Sequence, residues 1–344
     1  MKYDFINNYT LEELQKEFGA NKIPKFRAVQ MYEWLHDKNI TDINEITVFN
    51  SKLKKLLEDR YKINQLKIET VLKSNDKHTH KYLFKTYDDE YIETVLMKYK
   101  HGYSICVSTQ IGCLMGCVFC ASGKNGKIRD LLAAEILEQI YEIEKHQNIR
   151  ISNVVLMGMG EPLDNYNEVM KFIRILNSEK GHNIGMRHIT LSTCGIVPMI
   201  KKLADEKLQL TLSISLHATN NKKRKEIMPI ARKYDLDTLL EVCLYYIEKT
   251  NRRITFEYTM IDGINDTEEE AMKLAKLLKG LLCHVNLIPL NDTQTLNYKK
   301  TRENQIVKFK DILEKAGIQA TVRREMGSDI NAACGQLRKK YIEE

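Results

Sequence analysis

Residues 106–126, CVSTQIGCLMGCVFCASGKNG, hold four of the chain's eight cysteines, and Cys113, Cys117 and Cys120 fall in the pattern C-x-x-x-C-x-x-C. Cysteines this close let one short loop wrap an iron–sulfur cube, whose usual complement is four thiolates, one per iron. Three would leave one iron open to a substrate or cofactor, as the vacant position of a catalytic metal site does. The Cys117–Cys120 pair would also serve a structural zinc knuckle or a thioredoxin-like redox pair. Zinc pairs usually come as two separated doublets, and the chain has no second C-x-x-C and no H-x-x-H.

Other residues with chemistry to offer are scattered. Gly158 and Gly160 of GMGEP would let backbone approach a ligand while Glu161 accepts from an amine; the plainer reading is a tight turn before a helix capped near Asp164 or Asn165. Ser192, Ser215, His217 and Asn291 are short polar groups suited to a nucleoside's hydroxyls, or to caps and turns. Cys334 sits among Ala332, Ala333 and Gly335, which leave its sulfur approachable. Cys194, Cys243 and Cys283 lie in or beside apolar runs and read as inert small hydrophobes. Glu93, in YIETVLM, is either solvent-facing or a base, and the sequence favours the former.

The elements that must position these groups are legible from their periods. Residues 10–60 read as helical, with Thr10 as a cap for Leu11, Leu14 and Phe18, a second segment from Phe26 to Leu35 opened by Pro24, and a third from Ser51 to Arg60. Runs LKIETVL, KYLFKTY, YIETVLM and YSICVSTQ then alternate as short strands between turn-prone SNDK, DDE and HG. Beyond Cys120, NVVLMGMG, HITLSTCG, LTLSISLHA, ITFEYTMI and HVNLIPLN alternate with helical patterns such as 165–178 and 267–279, which predicts a parallel sheet with crossover helices. With the strand at Cys106 this makes six β/α units, too few for a closed eight-stranded barrel, so an α/β fold with an open partial barrel is expected. The cysteine loop, GMGEP, STCG, SLHA and PLN all fall at strand C-terminal ends, which meet on one face of such folds.

At 344 residues the chain exceeds one ordinary domain of about 150. Residues 1–60 are expected to form a small helical module, whose charges read as a solvated face or, equally in appearance, as an RNA-contacting one, 61–100 a β-rich connector and 101–344 the catalytic domain. No apolar run approaches the ~20 residues that cross a bilayer, and the N-terminus lacks the basic start and apolar centre of a signal peptide. A cytoplasmic protein with reduced thiols is expected. A net charge of +7 is compatible with a polyanionic partner without demonstrating one.

The tight triplet, with Phe119 before its last cysteine, resembles the radical S-adenosylmethionine superfamily, in which the cofactor chelates the open iron. More specifically, VSTQIGCLMGCVFCASG, VVLMGMGEPLDNY, RHITLSTCGIVP, SISLHA, RRITFEY, HVNLIPLN and SDINAACGQLR, in that order over nearly the whole chain, are similar to the bacterial RlmN family of adenine-C2 methyltransferases of 23S rRNA and tRNA. The resemblance implies that Cys113, Cys117 and Cys120 hold one 4Fe-4S cluster and that Gly160, Glu161, Ser192, Ser215, Leu216, His217 and Asn291 contact S-adenosylmethionine, two molecules of which are used per turnover. It implies an S-methylcysteine intermediate at Cys334, a resolving thiol at Cys106 that forms a transient disulfide with it, and Glu93 as proton acceptor. It further implies a monomer without a membrane partner, reduced by a donor such as flavodoxin or ferredoxin, acting on the 23S rRNA peptidyl transferase centre and on the adenosine next to the tRNA anticodon. Asp292 departs from the proline expected after the asparagine of PLN. The alternatives are the sister C8-methylating resistance enzyme, which shares the cluster and both thiols, and a non-catalytic zinc- or cluster-dependent RNA-binding module.

Overall fold

The computed structural model describes residues 4–290, 298–324 and 326–330. Helix α1 (Leu11–Ala20) opens on a capping box: the Thr10 hydroxyl accepts from the Glu13 N–H at 3.2 Å and the Glu13 carboxylate from the Thr10 N–H at 2.8 Å. Two of the amides that a helix start leaves bare are thereby satisfied. α2 (Lys25–His36) follows Pro24, and α3 (Ser51–Glu58) starts on Asn50, whose side chain accepts from the Leu53 N–H.

Four strands follow: β1 (Lys67–Lys73), β2 (Thr79–Lys85), β3 (Tyr91–Tyr99) and β4 (Gly102–Cys106). A small antiparallel pair, β5 (Gln110–Gly112) and β6 (Lys127–Asp130), closes the neck of the cysteine loop. From there strand and helix alternate through α4 (Ala133–Gln147), β7 (Ile151–Leu156), α5 (Tyr166–Asn177), β8 (Ile189–Thr193), α6 (Val197–Asp205), β9 (Thr211–Ser215), α7 (Asn221–Ile227), α8 (Leu236–Thr250), β10 (Ile254–Met260), α9 (Glu268–Leu278), β11 (Cys283–Pro289), α10 (Glu303–Lys315) and β12 (Ala320–Val322). One ten-stranded sheet runs β1-β2-β3-β4-β7-β8-β9-β10-β11-β12. It is antiparallel up to β4 and parallel from β4 onward. The six β/α units read from the sequence are present, in an open sheet. Two features were not expected: β12 adds a further parallel strand, and β1–β3 continue the barrel's own sheet.

The two faces of the parallel part differ. Ile105, Val154, Leu156, Ile189, Leu191, Leu212, Ile214, Ile254, Phe256, Val285 and Leu287 belong to the buried core with the helices. Strand residues alternate faces, so Cys106, Thr190, Ser192, Ser213, Ser215, Thr255, Glu257 and Asn286, joined by register, share the opposite face. Parallel strands covered on both sides are apolar throughout; here the apolar residues line the side on which the helices pack.

The N-terminal helices join the same core through Leu14, Phe18, Met31, Leu35 and Leu57. Polar contacts fix their orientation: Asn7 Nδ2 donates to Glu138 at 3.1 Å, Asn8 Oδ1 accepts from the Ala134 N–H at 2.9 Å, and the buried His36 ring meets the Tyr141 hydroxyl at 3.2 Å.

Candidate active site

β4 ends at Cys106 and hands the chain to the cysteine loop through Val107–Gln110, a stretch held almost entirely by hydrogen bonds. Gln139 on α4 grips Ser108 both ways, its oxygen accepting from the Ser108 N–H at 2.8 Å and its amide donating to the Ser108 carbonyl at 2.9 Å. The Gly158 N–H donates to the Val107 carbonyl at 3.0 Å, and the Thr109 N–H to the Met159 carbonyl at 2.8 Å. Backbones run so close here that a Cβ on Gly158 would lie 2.6 Å from the Val107 oxygen and one on Gly160 (φ +102°) 2.6 Å from Gln110 Cβ. The glycines of GMGEP thus admit the entrance to the cysteine loop, where the sequence suggested room for a ligand.

Gln110 is the buried link between this entrance and the next strand exit. It donates to Asp130 at 2.7 Å and to Asp164 at 2.8 Å, and its oxygen accepts from the Glu161 N–H at 2.8 Å. Lys127 completes the tie to Asp164 at 2.7 Å. Asn165 occupies the position before α5 as expected, yet its amide donates to the Thr109 and Leu131 carbonyls instead of capping the helix. The Glu161 carboxylate is buried and accepts from the Leu163 N–H at 3.0 Å and the Cys194 N–H at 2.7 Å. Burial pushes its pKa up, against which the Cys194 amide pulls down.

The loop itself lies against α7. The Val118 N–H donates to the Ile227 carbonyl at 3.0 Å, and Met115, Cys117, Val118 and Phe119 pack on Cys194, Ala218, Ile227 and Met228. Cys113 is buried, and Cys117 and Cys120 are partly exposed. Burial pushes the Cys113 and Cys117 thiols up to about 12; the charge of Cys120 raises both further, and that of Cys113 also raises Cys117. Even so, no three His, Cys, Asp or Glu side chains among the described residues are placed to hold a single metal ion.

The Phe119 ring meets His217 edge-on, with centroids 4.7 Å apart. His217 has a left-handed backbone (φ 56°), a conformation seldom adopted by residues other than glycine. Its Nδ1 accepts from the Thr259 N–H at 2.9 Å, and burial lowers its pKa to about 3. A neutral ring with Nδ1 accepting carries its proton on Nε2, which is left to donate. Ser192 and Ser215 are partly exposed on the polar face. Leu216 is buried, its N–H donating to the Glu257 carbonyl at 3.1 Å.

Glu93 contradicts the solvent-facing expectation. It is only 4 % exposed and its Oε2 lies 3.4 Å from Nζ of Lys81, itself 1 % exposed. Lys81 on β2 is the register partner of Val95 on β3, and Glu93 shares the face of Val95, whose partner on the other side is Cys106. Glu93 and Cys106 are thus on neighbouring strands and one face. Cys194 and Cys243 are buried and Cys283 is partly so. Asn291, Asp292 and Cys334 lie outside the described residues.

Three thiols on one loop at the open end of a partial β/α barrel define a radical S-adenosylmethionine enzyme, and residues 107–275 match the family described as Radical SAM superfamily. Residues 6–63 match the family described as Ribosomal RNA large subunit methyltransferase N-terminal domain. Relatives named "Probable dual-specificity RNA methyltransferase RlmN" from Clostridium novyi (strain NT) and Caldanaerobacter subterraneus subsp. tengcongensis are 52 % and 53 % identical, covering 98 % of this chain and 98 % and 99 % of theirs. The crystal structure of a radical SAM methyltransferase from Sphaerobacter thermophilus superposes with a TM-score of 0.92 at 42 % identity, over 97 % of this chain and 98 % of that one. The chain belongs to the RlmN family of dual-specificity radical S-adenosylmethionine RNA methyltransferases. The cofactors of this superfamily are a 4Fe-4S cluster and S-adenosylmethionine, and a loop carrying three thiols beside a polar sheet face fits both. No helix among the described residues is long and apolar enough to cross a membrane.

Proposed function

We propose that this chain methylates C2 of adenosine in 23S rRNA, at the peptidyl transferase centre, and next to the anticodon in tRNAs, working in the cytoplasm as a monomer. The observation that carries the reading is the placement of Cys106 and Glu93 on the same face and at the same end of the sheet as the cysteine loop. Cys113, Cys117 and Cys120 hold the cluster, and Gly160, Glu161, Ser192, Ser215, Leu216, His217 and Asn291 surround S-adenosylmethionine. A 4Fe-4S cluster held by these three thiols would, once reduced by a donor of the flavodoxin or ferredoxin class, supply one electron to S-adenosylmethionine and with it a 5′-deoxyadenosyl radical.

C2 of adenine has no lone pair with which to attack a sulfonium methyl group, so the methyl group is first placed on Cys334. Loss of a hydrogen atom to the radical would make the Cys334 methyl a carbon radical that adds to C2, and the adduct would then give up one electron, which the oxidised cluster would take back. Glu93 accepts the ring proton, and the Cys106 thiolate attacks the Cys334 sulfur, breaking its bond to the methylene carbon, which takes up a proton to become the methyl group of the released base and leaves a disulfide between the two cysteines. A two-electron reductant restores both thiols. The adenosine must leave its stack to reach the site, which favours loops over duplexes, and residues 1–60 contact the RNA backbone. Mass spectrometry of adenosines from RNA treated with reconstituted protein tests the proposal. 2-Methyladenosine is expected; 8-methyladenosine would assign the chemistry of the sister enzyme, and unmodified adenosine would overturn the reading.

A further inference from the structure

Arg224, on α7, is 0 % exposed. Its described hydrogen-bond partners are all backbone carbonyls: Nη2 donates to Cys194 at 2.8 Å and Ser215 at 3.2 Å, Nε to Leu216 at 3.3 Å, and Nη1 to Tyr234 at 3.4 Å. No carboxylate is among them. A buried charge is costly unless an opposite charge compensates it, and a guanidinium does not escape by losing its proton. Cys194, whose carbonyl Nη2 holds, packs in turn against Cys117, Val118 and Phe119 of the cysteine loop. Arg224 also ties the exits of β8 and β9 together, and Gly195 (φ +104°) leaves it room, since a Cβ there would lie 3.3 Å from Nη2. The same helix holds the cysteine loop through the Val118 to Ile227 hydrogen bond. A fixed cation therefore sits behind the cysteine loop, on the side of α7.

We infer that Arg224 sets the reduction potential of the cluster held by Cys113, Cys117 and Cys120, its positive charge favouring the state that carries one more electron. The inference rests on the assignment of those three thiols as ligands. Potentials of such clusters follow local charge, hydrogen bonding and exposure. One electron, from dithionite in the test below, enters the oxidised cluster, and no bond is made or broken. Arg224 is a positioning residue, acting through the cluster without touching substrate.

The test compares reconstituted wild type, Arg224→Gln and Arg224→Lys by iron content, by circular dichroism and by dithionite titration followed through the electron paramagnetic resonance of the reduced cluster. Arg224→Gln keeps an amide donor without charge. Its reduced-to-oxidised ratio at a fixed potential is expected to fall about tenfold, ~59 mV for one electron. Arg224→Lys keeps the charge with fewer hydrogen bonds and is expected to stay within about threefold of wild type, even if less stable. A glutamine variant with the wild-type potential, or a lysine variant displaced about tenfold, overturns the inference and leaves Arg224 a structural tie. If the glutamine variant loses its iron, the lysine variant decides by the same limits. Loss of iron from both with the fold intact also overturns it, because the shape of the guanidinium would then be what the loop requires. Full iron in Cys117→Ala would instead refute the ligand assignment, a separate result.

Discussion

Each thiol of the triplet is expected to be indispensable, because Cys106 ends β4 and Cys194 is buried with its N–H on Glu161, so neither can replace a ligand from the loop. Cys113→Ala, Cys117→Ala and Cys120→Ala should each lose cluster iron and 5′-deoxyadenosine formation together; iron assay and chromatography check both, and a variant retaining the two would remove that cysteine from the site. The second pair of thiols should separate by step. Cys334→Ala should form no protein methyl group and no RNA adduct, whereas Cys106→Ala should accumulate a nuclease-sensitive protein–RNA band on a denaturing gel. Turnover by Cys106→Ala at a near wild-type rate with nothing trapped would place the resolving thiol elsewhere. The triplet was legible because its spacing is local. Arg224, Gln110 and Lys81 were not, since a charged or amide residue in a periodic run reads as solvated, and their partners come from other elements. Glu93 was misread for a related reason: alternation tells that neighbours point oppositely, not which side is covered.

Among the elements, the helix starts and the alternating strands followed from the sequence almost as written, since caps and two-residue periods are short-range signals. β12, three residues long, is too short to show a period. The entrance to the cysteine loop was hidden for another reason, as its hydrogen bonds join Val107–Gln110 to residues about fifty positions away. Two substitutions separate these kinds of element. Gly158→Ala would place a Cβ 2.6 Å from the Val107 oxygen, so a loss of about 1–3 kcal/mol is expected, with lower iron retention, because the strained segment leads into the loop. Thr10→Ala removes a cap far from that segment and should cost about 1 kcal/mol at unchanged iron content. Urea unfolding and iron assay read both, and equal iron loss in the two would show that retention tracks global stability alone.

At the scale of the whole molecule, the N-terminal helices share one core with the barrel, which the sequence did not reveal because the junction depends on pairs such as Asn7 with Glu138. His36 lies in this junction, and burial takes its pKa from 6.5 to about 3. Below about pH 6.5 the unfolded chain protonates this ring while the folded protein does not, so its contribution falls with pH by about 1.4 kcal/mol per unit until about pH 3. Buried carboxylates such as Glu138, raised by desolvation, slope the other way, so the comparison must be differential. Relative to wild type, His36→Phe should gain about 1–2 kcal/mol between pH 7 and pH 5 in chemical unfolding, and no relative gain would mean that the folded ring takes up the proton too. The one-sided sheet has a consequence for the heat of binding. A face of hydroxyls, an amide and a carboxylate is polar, and a ligand seated on its partly exposed groups, such as Ser192 and Ser215, exchanges hydrogen bonds with water while covering little oily surface. Calorimetry of S-adenosylmethionine binding should therefore show a favourable enthalpy opposed by entropy, with only a small negative heat-capacity change.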